Sequence, residues 1–221
     1  MRDFLITICP AAIWVIVAIE VLIAVLLLCL KKKPIVICTV LVTLGLILDA
    51  VIIGLGAFLP DDVLRAISPV RFVAHGILIP LLFPIIGYAL NLKKPVMIAV
   101  WIFTILLMVA GATEGIATVL EQKTIAGVVR YAAADGTPKW ADIISKVLSF
   151  GTVIPMMIAG IVVWVKQKTP HLFLAGFLMF AFSALGPATG NSDLIFFISM
   201  FGEALMVLFL YLYCRRKAKN A

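Results

Sequence analysis

Residues 35–59 read IVICTVLVTLGLILDAVIIGLGAFL, a run in which Asp49 is the one charged side chain. A helix rises 1.5 Å per residue, so this run is long enough to cross the roughly 30 Å hydrocarbon core of a bilayer. Similar runs recur along the whole chain, whose 221 residues are 64% hydrophobic and 13% charged. A soluble domain of this size has about a quarter of its residues charged. The sequence therefore predicts an all-α, polytopic membrane protein.

Seven of these runs are predicted to cross the membrane. They leave no stretch for a separate soluble domain, so residues 1–221 are expected to form a single integral membrane domain. Arg2 is the only basic residue before the first run. Because that run is also too long for the apolar part of a cleavable signal peptide, we expect it to be retained as a membrane anchor. The predicted spans are about 9–30, 35–59, 70–90, 96–120, 141–165, 172–187 and 193–213.

The charges in the loops predict the orientation of the chain. The loops at 31–34, 91–95 and 166–171 and the tail after Cys214 contain 11 basic residues and no acid. Because short cytoplasmic loops are enriched in Lys and Arg, the N-terminus is predicted outside and the C-terminus in the cytoplasm, in a plasma (inner) membrane. The net charge of +7 follows from this bias. Membrane lipids are the expected partners of that charge, and no nucleic acid is needed to explain it.

Six ionisable residues of the predicted spans stand out, all in the middle or the outer half of the membrane. A charged group at such depth costs several kcal/mol, so these side chains are expected to turn inward and to pair or to line water. They predict an outward-facing polar site that binds a ligand or a proton. The residues in the spans are Glu20, Asp49, Arg71, His75, Glu114 and Glu203, and the polar segment after the sixth span adds Asn191 and Asp193 near the outer boundary.

Arg71 and His75 are one helical turn apart and share a face of the third span, about 2 and 8 Å below the outer surface. We expect Arg71 to pair with a carboxylate inside the membrane, with Glu114 and Glu203 as the favoured partners; the alternative is that it extends to the outer headgroups. The alternative for His75 is a hydrogen bond between helices. Two prolines further along, Pro80 and Pro84, are expected to bend this helix.

Asp49, His75 and Glu203 are predicted to form one connected site, and they are the candidate catalytic residues if the protein is an enzyme. The two acids each stand alone in a strongly apolar helix, which favours a functional role. Glu114 is more ambiguous, because it lies between Gly111 and Gly115 in a GxxxG spacing that favours close helix packing. Its role is therefore either functional or structural.

The outer loop between the fourth and fifth spans is predicted to contain a short helix. Its apolar side chains fall at i, i+3, i+4 and i+7, at Ile125, Val128, Val129 and Ala132. Such a helix would lie on the outer surface, either as a lid over the polar site or as an ordinary connector, with Arg130 on its other side.

Three kinds of function fit this pattern, and the sequence favours the first. They are a transporter-like or ligand-binding protein, an intramembrane lipid hydrolase, and a non-catalytic sensor or assembly subunit. The chain has a Lys-Pro helix start at Pro34, then Asp49 in the same helix, and then His75 in the next span. This order of residues resembles that in lysoplasmalogenase-type membrane hydrolases. The resemblance implies lipid hydrolysis at these residues. The chain departs from that family in having seven predicted spans instead of eight and in lacking a second matching aspartate.

No metal or cofactor is predicted. The chain has two histidines, His75 and His171, on opposite sides of the predicted membrane, and its four cysteines show no CxxC spacing. Phosphate-binding loops, dinucleotide fingerprints and nucleophile elbows are absent from the sequence.

Overall fold

The structure, a computed structural model, describes the backbone of residues 2–189 and 192–219 and the side chains of 7–184 and 198–219. Within these ranges the chain forms eight α-helices and one β-hairpin. The helices are α1 (Arg2–Leu28), α2 (Pro34–Leu55), α3 (Asp61–Leu78), α4 (Leu82–Ala89), α5 (Lys94–Ala117), α6 (Lys139–Gln167), α7 (His171–Thr189) and α8 (Ser192–Lys219); the strands are β1 (Leu120–Ile125) and β2 (Val128–Ala133).

The helices confirm the predicted class, a helical membrane protein. Six helical segments of the described chain are long and apolar enough to cross a membrane: Thr7–Leu28, Pro34–Leu55, Asp61–Ala89, Lys94–Ala117, Lys139–Gln167 and Ile198–Lys219. In the predicted sixth span, the described residues His171–Ala184 form a shorter apolar helix. The loops between helices and the C-terminal tail define two ends of the bundle. We call the end with residues 29–33, 90–93, 168–170 and 214–219 the basic end, and the opposite one the hairpin end.

The third span begins at Asp61, well before the predicted start near residue 70. Asp61 and Asp62 occupy its first turn, where a negative charge is favourable next to the helix dipole. Polar side chains at Arg65 and Ser68 lower the local hydropathy and conceal this helical stretch in the sequence. The Ser68 hydroxyl is satisfied within the helix, because it donates to the carbonyl oxygen of Leu64 at 2.7 Å.

The predicted bend in this span is present. A 3₁₀ turn at Ile79–Leu81 separates α3 from α4 and contains Pro80, which has no N–H to continue the α-helical hydrogen bonding. Pro84 lies in the first turn of α4, where a missing N–H is tolerated. The two half-helices together make the crossing.

Close packing between α3 and α5 confirms the GxxxG interpretation. A Cβ atom built on Gly111 would lie 2.3 Å from the carbonyl oxygen of Gly76, and one on Gly115 would lie 2.6 Å from the backbone nitrogen of Val73. The two backbones therefore approach each other at a distance that only glycine allows, as in other small-residue helix contacts in membranes.

Two apolar clusters fill the bundle, one toward each end. The basic-end core includes Ile23, Leu27, Leu46, Leu82, Met206 and Leu210. The hairpin-end core includes Cys9, Ile13, Ala50, Ile53, Val128 and Met200. Three acids lie near the boundary between the two clusters, each on a different helix: Glu20 on α1, Asp49 on α2 and Glu203 on α8. The two cores thus enclose a layer of buried charge.

The predicted short helix in the outer loop is wrong, because this segment is the β-hairpin. β1 and β2 pair antiparallel with Ile125 opposite Val128. The two residues between them, Ala126 and Gly127, have φ of 50° and 76°, as the tight type I′ hairpin turn requires. β-branched and aromatic residues favour strands, and in this segment that preference overrides a helical spacing of only four apolar positions.

Candidate functional site

Arg71 forms a two-point ion pair with Asp49. Its Nε donates to Oδ1 of Asp49 at 2.8 Å and its Nη2 donates to Oδ2 at 3.3 Å. Its Nη1 donates to the carbonyl oxygen of Tyr131 in the hairpin at 3.2 Å. Arg71 is 8% exposed. A guanidinium held in this fork by a carboxylate is a charge-assisted, geometrically specific contact.

The prediction that Arg71 pairs with a carboxylate of another predicted span is therefore confirmed, but the expected partners, Glu114 and Glu203, are wrong, and so is the alternative that Arg71 extends to the headgroups. The reason lies in the early start of α3. Arg71 lies ten residues after Asp61, which at 1.5 Å per residue places it about 15 Å from the helix start instead of about 2 Å below the surface. At that depth it is level with Asp49 on the neighbouring α2.

Asp49, His75 and Glu203, which the sequence analysis assigned to one site, lie near one another in the structure. All three side chains line one cavity of about 240 Å³, which we call the polar cavity. Arg71, Glu114 and Arg130 line it too, together with three serines, Ser145, Ser149 and Ser199. Acidic, basic and hydroxyl groups thus converge on one space inside the bundle.

Glu20 does not line the polar cavity but lies behind it. Its side chain is fully buried, and neither of its carboxyl oxygens has a hydrogen-bond partner among the described residues. It is close enough to Glu203 and Asp49 to interact with them electrostatically.

A second cavity of about 300 Å³ adjoins the polar one, and we call it the apolar cavity. His75, Glu203 and the three serines named above line both spaces. Beyond this shared wall the lining is mostly apolar and includes Leu46, Ile79, Leu82, Val153, Met179 and Met206. Lys146, Thr152 and Ser183 are the polar side chains of this part of the lining, so hydrocarbon predominates on this side of the shared wall and charge on the other.

The apolar cavity reaches the surface of α6 and α7. Phe150 on α6 lines it and is 49% exposed. Its ring meets that of Phe180 on α7 edge to face, with the ring centres 6.5 Å apart. Because Phe150 is exposed, this aromatic pair lies between the cavity and the outside of the bundle.

A third cavity of about 380 Å³, which we call the entrance cavity, adjoins the polar cavity at the hairpin end. The two spaces share Phe72, Glu114 and Ser145, and the entrance cavity continues to Asp135 and Asp142 near the surface. Glu114 accepts a hydrogen bond from the Thr118 hydroxyl at 3.2 Å. Glu114 thus borders both cavities and also belongs to the glycine-packed stretch of α5.

The hairpin contributes Arg130, a site residue that the sequence analysis did not include. Alternation along β2 places Arg130 on the same face as Val128, which packs in the hairpin-end core, so Arg130 reaches the polar cavity. Burial, with the neighbouring Arg71, lowers the pKa of Arg130 to about 10, so it stays protonated at neutral pH. A helix would have turned Arg130 away from Val128, which is why the helical interpretation missed it.

The hairpin is also fixed to the start of α3. The Tyr131 hydroxyl and the Gln122 side-chain amide each donate to Oδ1 of Asp61, both at 2.8 Å. With the contact between Arg71 and the Tyr131 carbonyl, these bonds join the hairpin to both ends of the Asp61–Arg71 stretch. The hairpin therefore closes the polar cavity on one side while the entrance cavity passes beside it.

The structure brings together five of the eight predicted site residues, Asp49, Arg71, His75, Glu114 and Glu203, around the polar cavity. Glu20 lies behind them. Asn191 lies outside the described residues, and the side chain of Asp193 does too. The three serines were missed as well, although the spacing of Ser145 and Ser149, one turn apart in an apolar span, carried a usable signal.

The sequence matches no protein-family model and no curated protein. The resemblance to lysoplasmalogenase-type hydrolases thus rests on the residues quoted for it, and the function is argued below from the cavities.

Proposed function

We propose that the protein binds an amphipathic ligand inside the membrane, as a transporter-like or ligand-binding protein. The observation that carries this proposal is the pair of adjoining cavities with unlike linings, which share a wall containing His75 and Glu203. A ligand with a polar group in the polar cavity and a hydrocarbon part in the apolar cavity would satisfy both. The two volumes of about 300 and 240 Å³ together fall within the range of about 300–1,000 Å³ that is typical of ligand pockets.

The charges around the polar cavity support a ligand group that can both donate and accept hydrogen bonds. The Arg71 charge is already balanced by Asp49 at 2.8 Å. The other basic or titratable nitrogen-containing side chains that line the cavity are Arg130 and His75. The other acidic side chains are Glu203 and Glu114. A zwitterionic or multiply hydroxylated head has counterparts for both sets, whereas a simple hydrocarbon has none.

Two routes to the site are compatible with such a ligand. A water-soluble molecule would come through the entrance cavity beside the hairpin, and a lipid would come between α6 and α7 past Phe150. For transport, the 3₁₀ turn at Ile79–Leu81 is the natural hinge, because it interrupts α-helical hydrogen bonding and Ile79 lines the apolar cavity.

We propose seven spans in the plasma membrane, with the hairpin end outside and the basic end in the cytoplasm.

An intramembrane lipid hydrolase is the second candidate, and one observation favours it. The bond between the head and the chain of a bound lipid would lie at the shared wall, next to His75 and Glu203. In that reaction water attacks the ester carbon and passes a proton to the imidazole, which returns it to the leaving alkoxide. The products would be a fatty acid and the deacylated head.

Palmitoyl lysophosphatidylcholine is a suitable probe, because it has one chain and a zwitterionic head. We expect it to raise the thermal midpoint of the protein purified in neutral detergent. Met179→Trp fills the apolar cavity and should abolish that rise, whereas Phe177→Trp, on the exposed side of the same helix, should not. Glu203→Gln should weaken binding, and Glu121→Gln, an exposed acid of the hairpin, should leave it unchanged.

Mass analysis of the recovered probe separates the two candidates. Intact lysolipid bound to the protein supports a binding or transport function, and stoichiometric release of palmitate supports the hydrolase. A midpoint that the probe does not move, or that moves equally in Met179→Trp and Phe177→Trp, would contradict the two-cavity proposal.

A further inference from the structure

A different cavity, at the basic end, carries an inference that does not depend on the proposed function. The loops and tail of this end contain nine basic residues and no acid. Nothing in those segments can neutralise the charge, so the counter-charge has to come from outside them. Two of the lysines, Lys33 and Lys217, line one cavity of about 360 Å³, which we call the lysine cavity.

Lys217 is held in place by the loop after α4. Its Nζ donates to the carbonyl oxygen of Tyr88 and, at 3.0 Å, to Oδ1 of Asn91. Asn91 has φ of 53°, in the left-handed region that asparagine tolerates better than most residues. The ammonium group of Lys217 thus has a defined position at the edge of the lysine cavity, with one of its three N–H donors beyond these two contacts.

Lys33 approaches the same space from the start of α2. It is half-buried and precedes Pro34, the first residue of the helix, and both residues line the lysine cavity. Lys33 and Lys217 are near enough for their charges to repel each other. An anion between them would replace this repulsion with two attractive interactions.

The walls of the lysine cavity are braced by neighbouring hydrogen bonds. The indole Nε1 of Trp101 donates to the Tyr88 hydroxyl at 3.0 Å. On the other side of α4, the Tyr213 hydroxyl donates to Oε1 of Gln167 at 3.0 Å, and Nε2 of Gln167 donates to the carbonyl oxygen of Ala89 at 2.8 Å. These bonds join α4, α5, α6 and α8 to one another beside the cavity before any ligand enters.

The surroundings of the lysine cavity favour a lipid as the source of the anion. Tyr88 and Trp101 are residues typical of the membrane interface, where phosphate groups of lipids lie. An apolar groove of about 140 Å³ runs along the same ends of α1 and α2, lined by Leu27, Leu30, Val36, Val40 and Leu41, with Lys32 at its rim. Hydrocarbon and phosphate are thus both accommodated at this end of the bundle.

We propose that the lysine cavity binds the phosphate of an anionic phospholipid headgroup, held between Lys33 and Lys217. The site lies at the opposite end of the bundle from the polar cavity, and the chain of such a lipid stays in the surrounding bilayer. Basic groups at a membrane surface each contribute about 1 kcal/mol to the binding of anionic lipid, which corresponds to about fivefold in affinity.

The test uses the full-length protein purified in neutral detergent, with its thermal midpoint as the readout. Dioctanoyl phosphatidylglycerol is the anionic probe, dioctanoyl phosphatidylcholine the zwitterionic control, and inorganic phosphate the soluble control. The anionic probe should raise the midpoint and the other two should not. Lys33→Gln and Lys217→Gln should each weaken its apparent affinity about fivefold.

Lys31→Gln and Lys219→Gln are matched controls. Both lysines are exposed, both lie in the same two segments, and neither lines the lysine cavity. Equal losses in all four variants would show diffuse attraction and overturn the proposal. An equal shift with inorganic phosphate would assign the site to a soluble anion instead of a lipid. Because Lys217→Gln also removes two internal hydrogen bonds, Lys33→Gln decides the matter if Lys217→Gln does not fold.

Discussion

The ion pair between Arg71 and Asp49 determines what the polar cavity offers a ligand. Taking either charge into the membrane alone would be costly, and their two-point contact offsets that cost while it fixes both side chains. It also holds the hairpin, because Arg71 donates to the Tyr131 carbonyl as well. Beside the pair, the polar cavity is lined by His75, Glu203 and Arg130.

Removing Arg71 should destabilise the protein far more than removing Arg65. Arg71→Leu leaves Asp49 as an unpaired buried carboxylate, for which losses of about 3–5 kcal/mol are typical. Arg65→Leu removes an exposed charge on the same helix and should change stability by less than about 0.5 kcal/mol. The measurement is the thermal midpoint in detergent, with the double variant Asp49→Leu/Arg71→Leu expected to recover part of the loss. Similar midpoints for the two single variants would mean that the pair contributes little.

The individual site residues were largely predictable from the sequence, and their partners were not. Asp49, His75 and Glu203 stand out because each interrupts an apolar helix, and all three line the polar cavity. The pairing of Arg71 depended on where α3 begins, and the polar residues before residue 70 concealed that start. Arg130 depended on the secondary structure of the loop. Hydropathy indicates which residues are unusual, but contacts depend on helix starts and register.

The β-hairpin shows how one short element can position a site built mainly by helices. Its turn packs into the hairpin-end core through Ala126 and Val128, and its second strand delivers Arg130 to the polar cavity. Gly56, just after α2, makes this approach possible. A Cβ atom on Gly56 would lie 1.8 Å from the carbonyl oxygen of Val129, so no other residue fits without moving the hairpin.

Gly56→Val should therefore displace the hairpin while the helices remain. Amides of β1 and β2 should exchange hydrogen much faster, and the lysolipid probe should bind more weakly because Arg130 and the Tyr131 carbonyl move with the strand. Gly136→Ala is the matched control in the same outer region, where the nearest atom to an added Cβ is a side-chain carbon of Val119 at 3.9 Å. Unchanged exchange in Gly56→Val would show that the hairpin does not rest on α2 in the way described.

The bundle as a unit differs between its two ends. The larger apolar core lies toward the basic end, whereas the polar and entrance cavities lie toward the hairpin end. Composition and hydropathy predicted the class and most helix positions correctly, because a membrane span needs about 20 apolar residues wherever it occurs. They gave no information on the cavities, because empty space depends on how helices cross, as at Gly76 and Gly111.

The orientation of the bundle remains a prediction from its charges, and cysteine labelling tests it. Val63→Cys and Ala134→Cys, at the hairpin end, should react in intact cells with an impermeant thiol reagent, whereas Leu92→Cys and Ala218→Cys should not. The background should carry Cys29→Ser, because Cys29 is exposed while Cys9, Cys38 and Cys214 are buried. Labelling at 92 and 218 alone would place the basic end outside.

Photo-crosslinking shows most directly whether a single-chain ligand occupies the two joined cavities. A lysophosphatidylcholine with a photoreactive diazirine near the end of its chain would be bound to the purified protein, irradiated, and the labelled residues identified by mass spectrometry. We expect labels on the lining of the apolar cavity, at Val153, Met179 and Met206, and their loss in Met179→Trp. Labels confined to lipid-facing residues of the same helices, such as Val147 and Ile158, would contradict the account.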